Sequence, residues 1–149
     1  KSTFINTLAG KACTKTGNKP GVTKGKQWIR LNKDVELLDT PGILWPKFED
    51  QSVGQKLAMI GSIKDEILDV RELAWLLTRL LTEKYPGILQ KRYNINENSD
   101  KINIIEQIAD VRNCRLKGNE PDIDKAARLL LDDFRSAKLG MITLDFPEN

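Results

Sequence analysis

The sequence predicts an α/β region followed by a mainly helical region, and three observations support this division. The chain begins with Lys-Ser-Thr in front of an apolar, helix-like segment, and a short hairpin pattern then leads into Asp-Thr-Pro-Gly. From about residue 66 onward the apolar residues recur mainly at helical spacing. With 149 residues, 40% hydrophobic and 30% charged, the chain can bury a core as one domain or as two small ones.

The first predicted element is a helix over residues 3–8, which Gly10 terminates. Lys1 and Ser2 stand directly in front of it. Lys-Ser before a helix matches the end of GxxxxGK(S/T), a loop whose backbone cradles phosphates and whose lysine reaches the β- and γ-phosphates. Lys1 and Ser2 are therefore candidate nucleotide-binding residues, and the rest of the loop would precede the chain.

Residues 15–27 form a predicted loop that is rich in Gly, Pro, Thr and Lys. Within it Thr23 follows Pro-Gly and stands close to the next predicted strand. Its hydroxyl is a candidate Mg²⁺ ligand and its backbone a sensor of a γ-phosphate, as in a switch loop that orders in the triphosphate state. Thr14 and Thr16 are alternatives for this role, and a threonine that only stabilises a turn is another.

A hairpin is predicted next, with strands at 27–31 and 35–39 and a polar turn at 32–34. Asp39 ends the second strand, which is where open α/β sheets bind ligands. Its carboxylate can reach Mg²⁺ through a water, and Gly42 lets a backbone N–H approach a γ-phosphate without a Cβ in the way. DxxG alone occurs by chance, but lysine, helix, threonine loop, hairpin and DxxG in this order are the parts of a small GTPase core. A P-loop ATPase is the alternative.

A motif that reads guanine, usually NKxD, is missing from the sequence. Asn32-Lys33-Asp34 has its aspartate in third place, so we interpret it as the hairpin turn. Nothing after Gly42 matches the motif either. Either the chain does not read guanine, or the reader precedes the phosphate loop, as in a circularly permuted GTPase.

These motifs closely resemble the YlqF/RbgA family of circularly permuted bacterial ribosome-assembly GTPases. The resemblance covers essentially the whole chain, and its most specific part is "DTPGILWPKFED". It implies part of a permuted P-loop GTPase domain over residues 1–65 and a small helical, ANTAR-like RNA-binding domain over residues 66–149. Because the guanine-reading half and most of the phosphate loop are absent, we expect this fragment alone to be inactive.

The resemblance also implies GTP and Mg²⁺ as cofactors, and it assigns roles to individual residues. Lys1 and Thr23 would be catalytic. The metal ligands would be Ser2, Thr23 and, through a water, Asp39. The nucleotide-binding residues would be Lys1, Ser2, Thr3, Thr23, Asp39 and Gly42.

The implied activity is GTP hydrolysis during late maturation of the large ribosomal subunit, with the GTP state controlling association with the particle and its rRNA. Where Ras-like enzymes place a water-orienting glutamine, this chain has Ile43, which cannot polarise a water. We therefore expect slow intrinsic hydrolysis that the ribosomal particle stimulates. The alternative is a non-enzymatic RNA-binding assembly factor with vestigial GTPase motifs.

The helical half contains an apolar stripe, Ala127, Leu130, Leu131 and Phe134, that predicts a core helix. We expect Asp122 to cap it, Gly140 to stop it and "MITLDF" to form a strand afterwards. Residues 1–65 carry 11 Lys/Arg against 6 Asp/Glu, whereas residues 66–149 carry 13 against 15. Basic residues of the second half are nevertheless candidate RNA contacts: Arg112, Arg115, Lys117, Lys125, Arg128, Arg135 and Lys138.

The cysteines and the lack of histidine limit which cellular compartment and which kinds of site we expect. Cys13 and Cys114 form no CxxC pair, which favours reduced thiols and a cytoplasmic protein. The sequence contains no histidine, so it has neither a histidine metal ligand nor a histidine base. No apolar run approaches 18 residues, so we expect no membrane partner, and we expect a monomer.

Overall fold

The computed structural model describes residues 2–14, 25–40, 50–63, 69–98 and 100–146. The chain forms two compact units, Lys1–Glu49 and Asp50–Asn149. The elements are α1 (Ser2–Ala9), β1 (Gln27–Arg30) and β2 (Glu36–Asp39) in the first unit, and α2 (Gln51–Met59), α3 (Val70–Lys84), α4 (Ile88–Tyr93), α5 (Lys101–Val111) and α6 (Ile123–Arg135) in the second. None of the helices in these described ranges is long and apolar enough to cross a membrane.

The predicted hairpin of the first unit is confirmed. β1 and β2 pair antiparallel, with Gln27 opposite Asp39 at the open end. The side-chain oxygen of Asn32 accepts hydrogen bonds from the backbone N–H groups of Asp34 and Val35, at 2.9 and 2.8 Å. An asparagine that bonds its own backbone in this way stabilises a tight turn. The Asn-Lys-Asp triplet is therefore turn structure, as predicted.

The second unit is a helical domain built around α3, α5 and α6. Leu77, Leu81, Ile104 and Ile108 are completely buried between these helices. The apolar stripe predicted for α6 also lies in this core, since all four of its residues are buried. That prediction is confirmed, and it follows from helical periodicity alone because one face of α6 must leave water.

The ends of α6 show one correct and one incorrect expectation. Asp122 caps the helix as predicted, because its carboxylate accepts a 2.9 Å hydrogen bond from the backbone N–H of Lys125. The helix ends at Arg135, however, well before Gly140. Ala137 already takes a left-handed conformation (φ 56°), so the chain leaves the helix there.

The expected strand at residues 141–146 is wrong. The segment is irregular, and the hydroxyl of Tyr85 bonds its backbone at Thr143, accepting from the N–H at 3.0 Å and donating to the carbonyl at 3.2 Å. Alternating apolar residues are compatible with a strand only where another strand offers a ladder of hydrogen bonds. Here a side chain on the neighbouring helical surface supplies those bonds instead.

The two compact units divide at residue 49, earlier than the predicted domain boundary at residue 65. The reason is α2, which packs with the second unit. Ala58 and Met59 at its end are buried in the helical core, and the guanidinium of Arg135 donates to both of their carbonyls at 2.9 Å. The sequence pattern shows where the secondary structure changes from hairpin to helix. The boundary between the two compact units lies elsewhere, because α2 packs with the helical core.

Candidate nucleotide site and basic surface

The N-terminus of α1 is the first part of the candidate nucleotide site. The helix begins at Ser2, so the N–H groups of Ser2 and Thr3 belong to its first turn, where no intrahelical acceptor exists. These free donors and the helix dipole favour an anion at this end. Lys1 lies outside the described residues. Ser2 and Thr3 therefore lie in the first turn of α1, and their role in phosphate binding stays a prediction.

Asn6, one turn further along α1, holds the chain that follows the helix. Its side-chain oxygen accepts hydrogen bonds from the backbone N–H groups of Thr14 at 2.8 Å and Cys13 at 3.1 Å. Its side-chain N–H₂ donates to the carbonyl of Thr14 at 2.9 Å. One amide thus provides partners for three backbone groups. We refer to this set of contacts between Asn6, Cys13 and Thr14 as the Asn6 clamp.

Thr14 itself is occupied by this clamp. Its hydroxyl lies 2.9 Å from the Asn6 side-chain oxygen and 3.1 Å from the carbonyl of Ser2, and the residue is only 8% exposed. A hydroxyl has one proton, which these two acceptors share. The contacts disfavour Thr14 as the switch threonine. Thr16 and Thr23, the other two candidates, lie outside the described residues, as does Gly42.

Asp39 is the second part of the candidate site that the structure describes. It ends β2 and is 1% exposed, and the side-chain N–H₂ of Gln27 donates to its carboxylate at 3.2 Å. A buried carboxylate needs such donors, because leaving water without them is costly. Gln27 thus orients the aspartate of DxxG. Sequence reasoning missed this contact, although the hairpin register places the two residues opposite each other.

The donor chemistry at these positions fits Mg²⁺. Ser2 offers a hydroxyl and Asp39 a carboxylate, and Mg²⁺ takes oxygen ligands, usually with waters and phosphates completing the octahedron. Within the described ranges no three His, Cys, Asp or Glu side chains come together in a way that could hold a metal.

Arg135, a candidate RNA contact, is bound to other residues within the helical unit. It is half-buried, and its guanidinium donates to the carbonyls of Ala58 and Met59 at the end of α2. The last carbonyls of a helix have no intrahelical partner, and a cationic donor satisfies them well. These bonds to the end of α2 disfavour Arg135 as an RNA contact.

The other candidate RNA-contact residues differ in whether they already have a partner within the protein. Arg112 lies over the ring of Tyr93, Arg115 pairs with Asp110 at 2.9 Å, and Lys138 lies 3.4 Å from the buried carboxylate of Asp133. Three candidates are exposed and form no ion pair with another described residue: Lys117, Lys125 and Arg128. These three are the cations most available to a phosphate-rich partner.

Cys13 and Cys114 are free cysteines in the structure. Cys13 is half-buried beside Asn6, and its thiol lies 3.4 Å from the asparagine oxygen. Cys114 is completely buried in the helical core. A small apolar side chain suits that place, so its role is packing.

Comparison with known proteins decides the family. Residues 1–107 match the model of the 50S ribosome-binding GTPase family. The chain belongs to that family. The predicted resemblance to YlqF/RbgA is confirmed as well, since relatives named ribosome biogenesis GTPase A and solved structures of YlqF match this chain.

Among the relatives is ribosome biogenesis GTPase A of Priestia megaterium, which is 49% identical over 148 residues, covering 99% of this chain and 51% of the relative. The Bacillus cereus protein of the same name is 48% identical over 149 residues, with 99% and 50% covered. The chain therefore spans about half the length of the curated relatives that it matches.

Solved structures give the same fold. A GDP-bound structure of TM YlqF matches with a TM-score of 0.66 at 28% identity, over 100% of this chain and 56% of that one. A GNP-bound YlqF from T. maritima matches with a TM-score of 0.58 at 30% identity, over 94% and 52%. The chain thus has a YlqF-like fold within a P-loop GTPase family.

Proposed function

We propose that this chain forms part of a GTP-binding and GTP-hydrolysing factor for late maturation of the large ribosomal subunit. In this proposal the GTP state controls association with the precursor particle. The observation that carries it is that the first unit contains both a helix that begins at Ser2 and a buried carboxylate, Asp39, at the end of the hairpin. Membership of a ribosome-binding GTPase family supports both the nucleotide and the partner.

The roles follow from the chemistry of the side chains. Lys1 neutralises the β- and γ-phosphates, and the first-turn N–H groups at Ser2 and Thr3 bind phosphate oxygens. The hydroxyls of Ser2 and Thr23 and, through a water, the carboxylate of Asp39 hold Mg²⁺. That ion would neutralise charge that develops on the phosphate oxygens.

Hydrolysis by this constellation is slow without help. The position after the DxxG glycine holds Ile43, an aliphatic residue that cannot aim a water. Groups supplied by a partner are worth about 10³–10⁵ in rate for related enzymes. We therefore propose that the ribosomal particle supplies or orders the missing group, and that the chain by itself does not turn GTP over.

The second unit is the proposed contact with rRNA, as a small ANTAR-like helical domain. Lys117, Lys125 and Arg128 would contact phosphates, because they are exposed and form no ion pair with another described residue. Arg112, Arg115 and Lys138 are secondary candidates, since each already has a partner within the domain. We propose a monomer in the cytoplasm, where its ribosomal partner is assembled.

The experiment is a binding assay between the full-length protein and large-subunit precursor particles with GTP, a non-hydrolysable GTP analogue, GDP or no nucleotide. We expect strong association only with the triphosphates. Lys1→Ala should abolish the nucleotide dependence. Lys33→Ala, a change at an exposed lysine of the hairpin turn, is the matched control and should not. Equal association under all four conditions would favour a non-enzymatic RNA-binding factor with vestigial motifs.

A further inference from the structure

We infer that Arg92, Arg112 and Lys138 together form a binding site for the sugar–phosphate backbone of rRNA. The inference rests on the proposed rRNA contact of the second unit, and it specifies where on that unit backbone phosphates bind. It also adds Arg92, a residue that the sequence pattern did not indicate. We refer to the three cations, with the side chains of Tyr93 and Asp133 between them, as the Tyr93 cluster.

Three separate segments of the chain bring these cations together. Arg92 lies in the last turn of α4, Arg112 directly follows α5, and Lys138 lies just beyond the end of α6. The guanidinium carbons of Arg92 and Arg112 lie 6.0 and 5.1 Å from the centroid of the Tyr93 ring. The Lys138 ammonium lies 3.4 Å from the carboxylate of Asp133, which also binds Arg92. All three cations therefore surround one ring and one carboxylate.

The Tyr93 cluster carries more positive than negative charge. Burial raises the pKa of Asp133, but hydrogen bonds from Arg92 and Tyr93 lower it by more, so the carboxyl group is ionised at neutral pH. Three cations and one carboxylate leave a net charge of +2. The exposed neighbours along the chain, Lys91 and Asp132, have opposite charges and do not change this balance. Such an excess of positive charge at a surface attracts phosphate groups.

The partners of these cations within the domain leave them able to bind a phosphate. Arg92 bonds Asp133 through Nε and Nη2, both at 2.9 Å, which leaves about three of its five N–H groups for another acceptor. Arg112 is exposed and forms no ion pair with another described residue, since its partner is the neutral ring of Tyr93. Lys138 is also exposed. Because Asp133 already orients Arg92, less side-chain entropy is lost when that arginine binds.

RNA is the polyanion that fits this chemistry. Two of the three cations are arginines, whose planar guanidinium groups bind phosphate oxygens through paired hydrogen bonds. Contacts of this kind position a protein on a nucleic acid without reading its sequence. The match to a ribosome-binding GTPase family supports a partner that contains such a backbone.

The test is a salt titration of binding by the full-length protein, with protein-free rRNA of the large subunit and with the precursor particle. Arg112→Gln combined with Lys138→Gln removes two cations and keeps the pair between Arg92 and Asp133. Each phosphate contact contributes about 0.7–0.9 to the slope of log affinity against log salt, so the slope should fall by up to about 1.8 with both probes. The urea midpoint should change little, because both substituted side chains are exposed.

Arg71→Gln combined with Arg79→Gln is the matched control. It removes the same charge from two exposed arginines of α3, which pair with Asp124 and Glu83. We expect the wild-type slope for this variant. An equal fall in slope for both double variants would overturn the inference, because overall charge would then explain the binding.

Arg92 is tested by two further changes. Arg92→Lys keeps the charge and should keep the slope, whereas Arg92→Gln should lower it by about 0.7–0.9. Arg92→Gln also leaves Asp133 without its closest cation, so urea unfolding is measured beside the titration. If this variant does not fold, the double variant of Arg112 and Lys138 still decides the inference.

The two probes separate the possible failures. An unchanged slope with a lower urea midpoint would overturn the inference, because the cations would then only stabilise helix ends, whose dipoles favour positive charge. Weaker binding to the particle with an unchanged slope on protein-free rRNA would also overturn it, in favour of an acidic protein partner. If wild type binds particles equally with a GTP analogue, GDP or no nucleotide, the proposed GTP control is overturned, while the slope on protein-free rRNA still decides the site.

Discussion

Replacing Asp133 by alanine should strongly destabilise the helical unit. Asp133 lies on α6 and is 4% exposed, and its carboxylate accepts hydrogen bonds from the Arg92 guanidinium at 2.9 Å and the Tyr93 hydroxyl at 3.0 Å. Lys138 contributes a weaker ion pair at 3.4 Å. The change would leave a half-buried cation and a buried hydroxyl without their acceptor.

The expected loss is roughly 3 kcal/mol. Removing one member of a buried ion pair costs about 3–5 kcal/mol, and the lower end applies because the side chain of Arg92 is 32% exposed and can turn toward water. With an m-value of about 1.5 kcal/mol per molar urea, the unfolding midpoint should fall by about 2 M. Circular dichroism at helical wavelengths monitors this unit, since five of the six helices in the described ranges lie in it.

Asp132→Ala is the matched control. Asp132 is the neighbouring aspartate on α6, but its side chain is exposed. A change at such a site usually alters stability by less than about 0.5 kcal/mol. If the Asp133 and Asp132 variants unfold at the same urea concentration, the buried charge network is not a stabilising element and the reasoning is refuted.

The same carboxylate predicts a pH dependence. Burial raises the pKa of Asp133, but hydrogen bonds from Arg92 and Tyr93 and the Arg92 charge lower it by more, so the pKa lies below its ordinary value. Burial and the Asp133 charge raise the pKa of Tyr93, which keeps its hydroxyl as a donor. The stabilisation is therefore complete above about pH 5 and is lost as pH falls below about 4. Asp133→Asn should remove this part of the acid sensitivity, measured as urea midpoints across that range.

Three further predictions concern residues with separable roles. Arg135→Ala should cost about 1–2 kcal/mol of unfolding free energy, because two carbonyls at the end of α2 lose their cationic donor, and it should leave the salt dependence of particle binding unchanged. Lys125→Ala combined with Arg128→Ala should have the opposite effects. The slope of log affinity against log salt for particle binding should fall by up to about two units, while the urea midpoint stays the same. An unchanged slope would exclude these residues as phosphate contacts. Gln27→Leu should weaken Mg²⁺ binding by the GDP-loaded full-length protein several-fold, because the Asp39 carboxylate loses a donor that orients it, and a metal titration equal to wild type would contradict this.

Interactions between residues close together in the sequence determined many of the local structural features of this protein. The Asn32 turn, the apolar stripe of α6 and its cap at Asp122 each depend on residues within a few positions of one another. The same is true of the two predicted nucleotide-site residues that the structure describes best, Ser2 and Asp39, because a helix start and a strand end are local features. Such patterns can be read from sequence because short-range hydrogen bonds and periodicity do not depend on distant partners.

The tertiary structure alone decided which polar side chains hold others in place. The sequence gives no sign that Asn6 differs from other residues of α1. The fold places the backbone of Cys13 and Thr14 within hydrogen-bonding distance of its side-chain amide. From the sequence, Arg135 is expected to be an exposed cation. In the fold, carbonyls at the end of α2, more than seventy positions earlier, accept its hydrogen bonds. The unit boundary also depends on tertiary packing, since Ala58 and Met59 of α2 are buried in the helical core. Sequence periodicity identifies the face of a helix, but the partner on that face is set by packing between segments that are far apart along the chain.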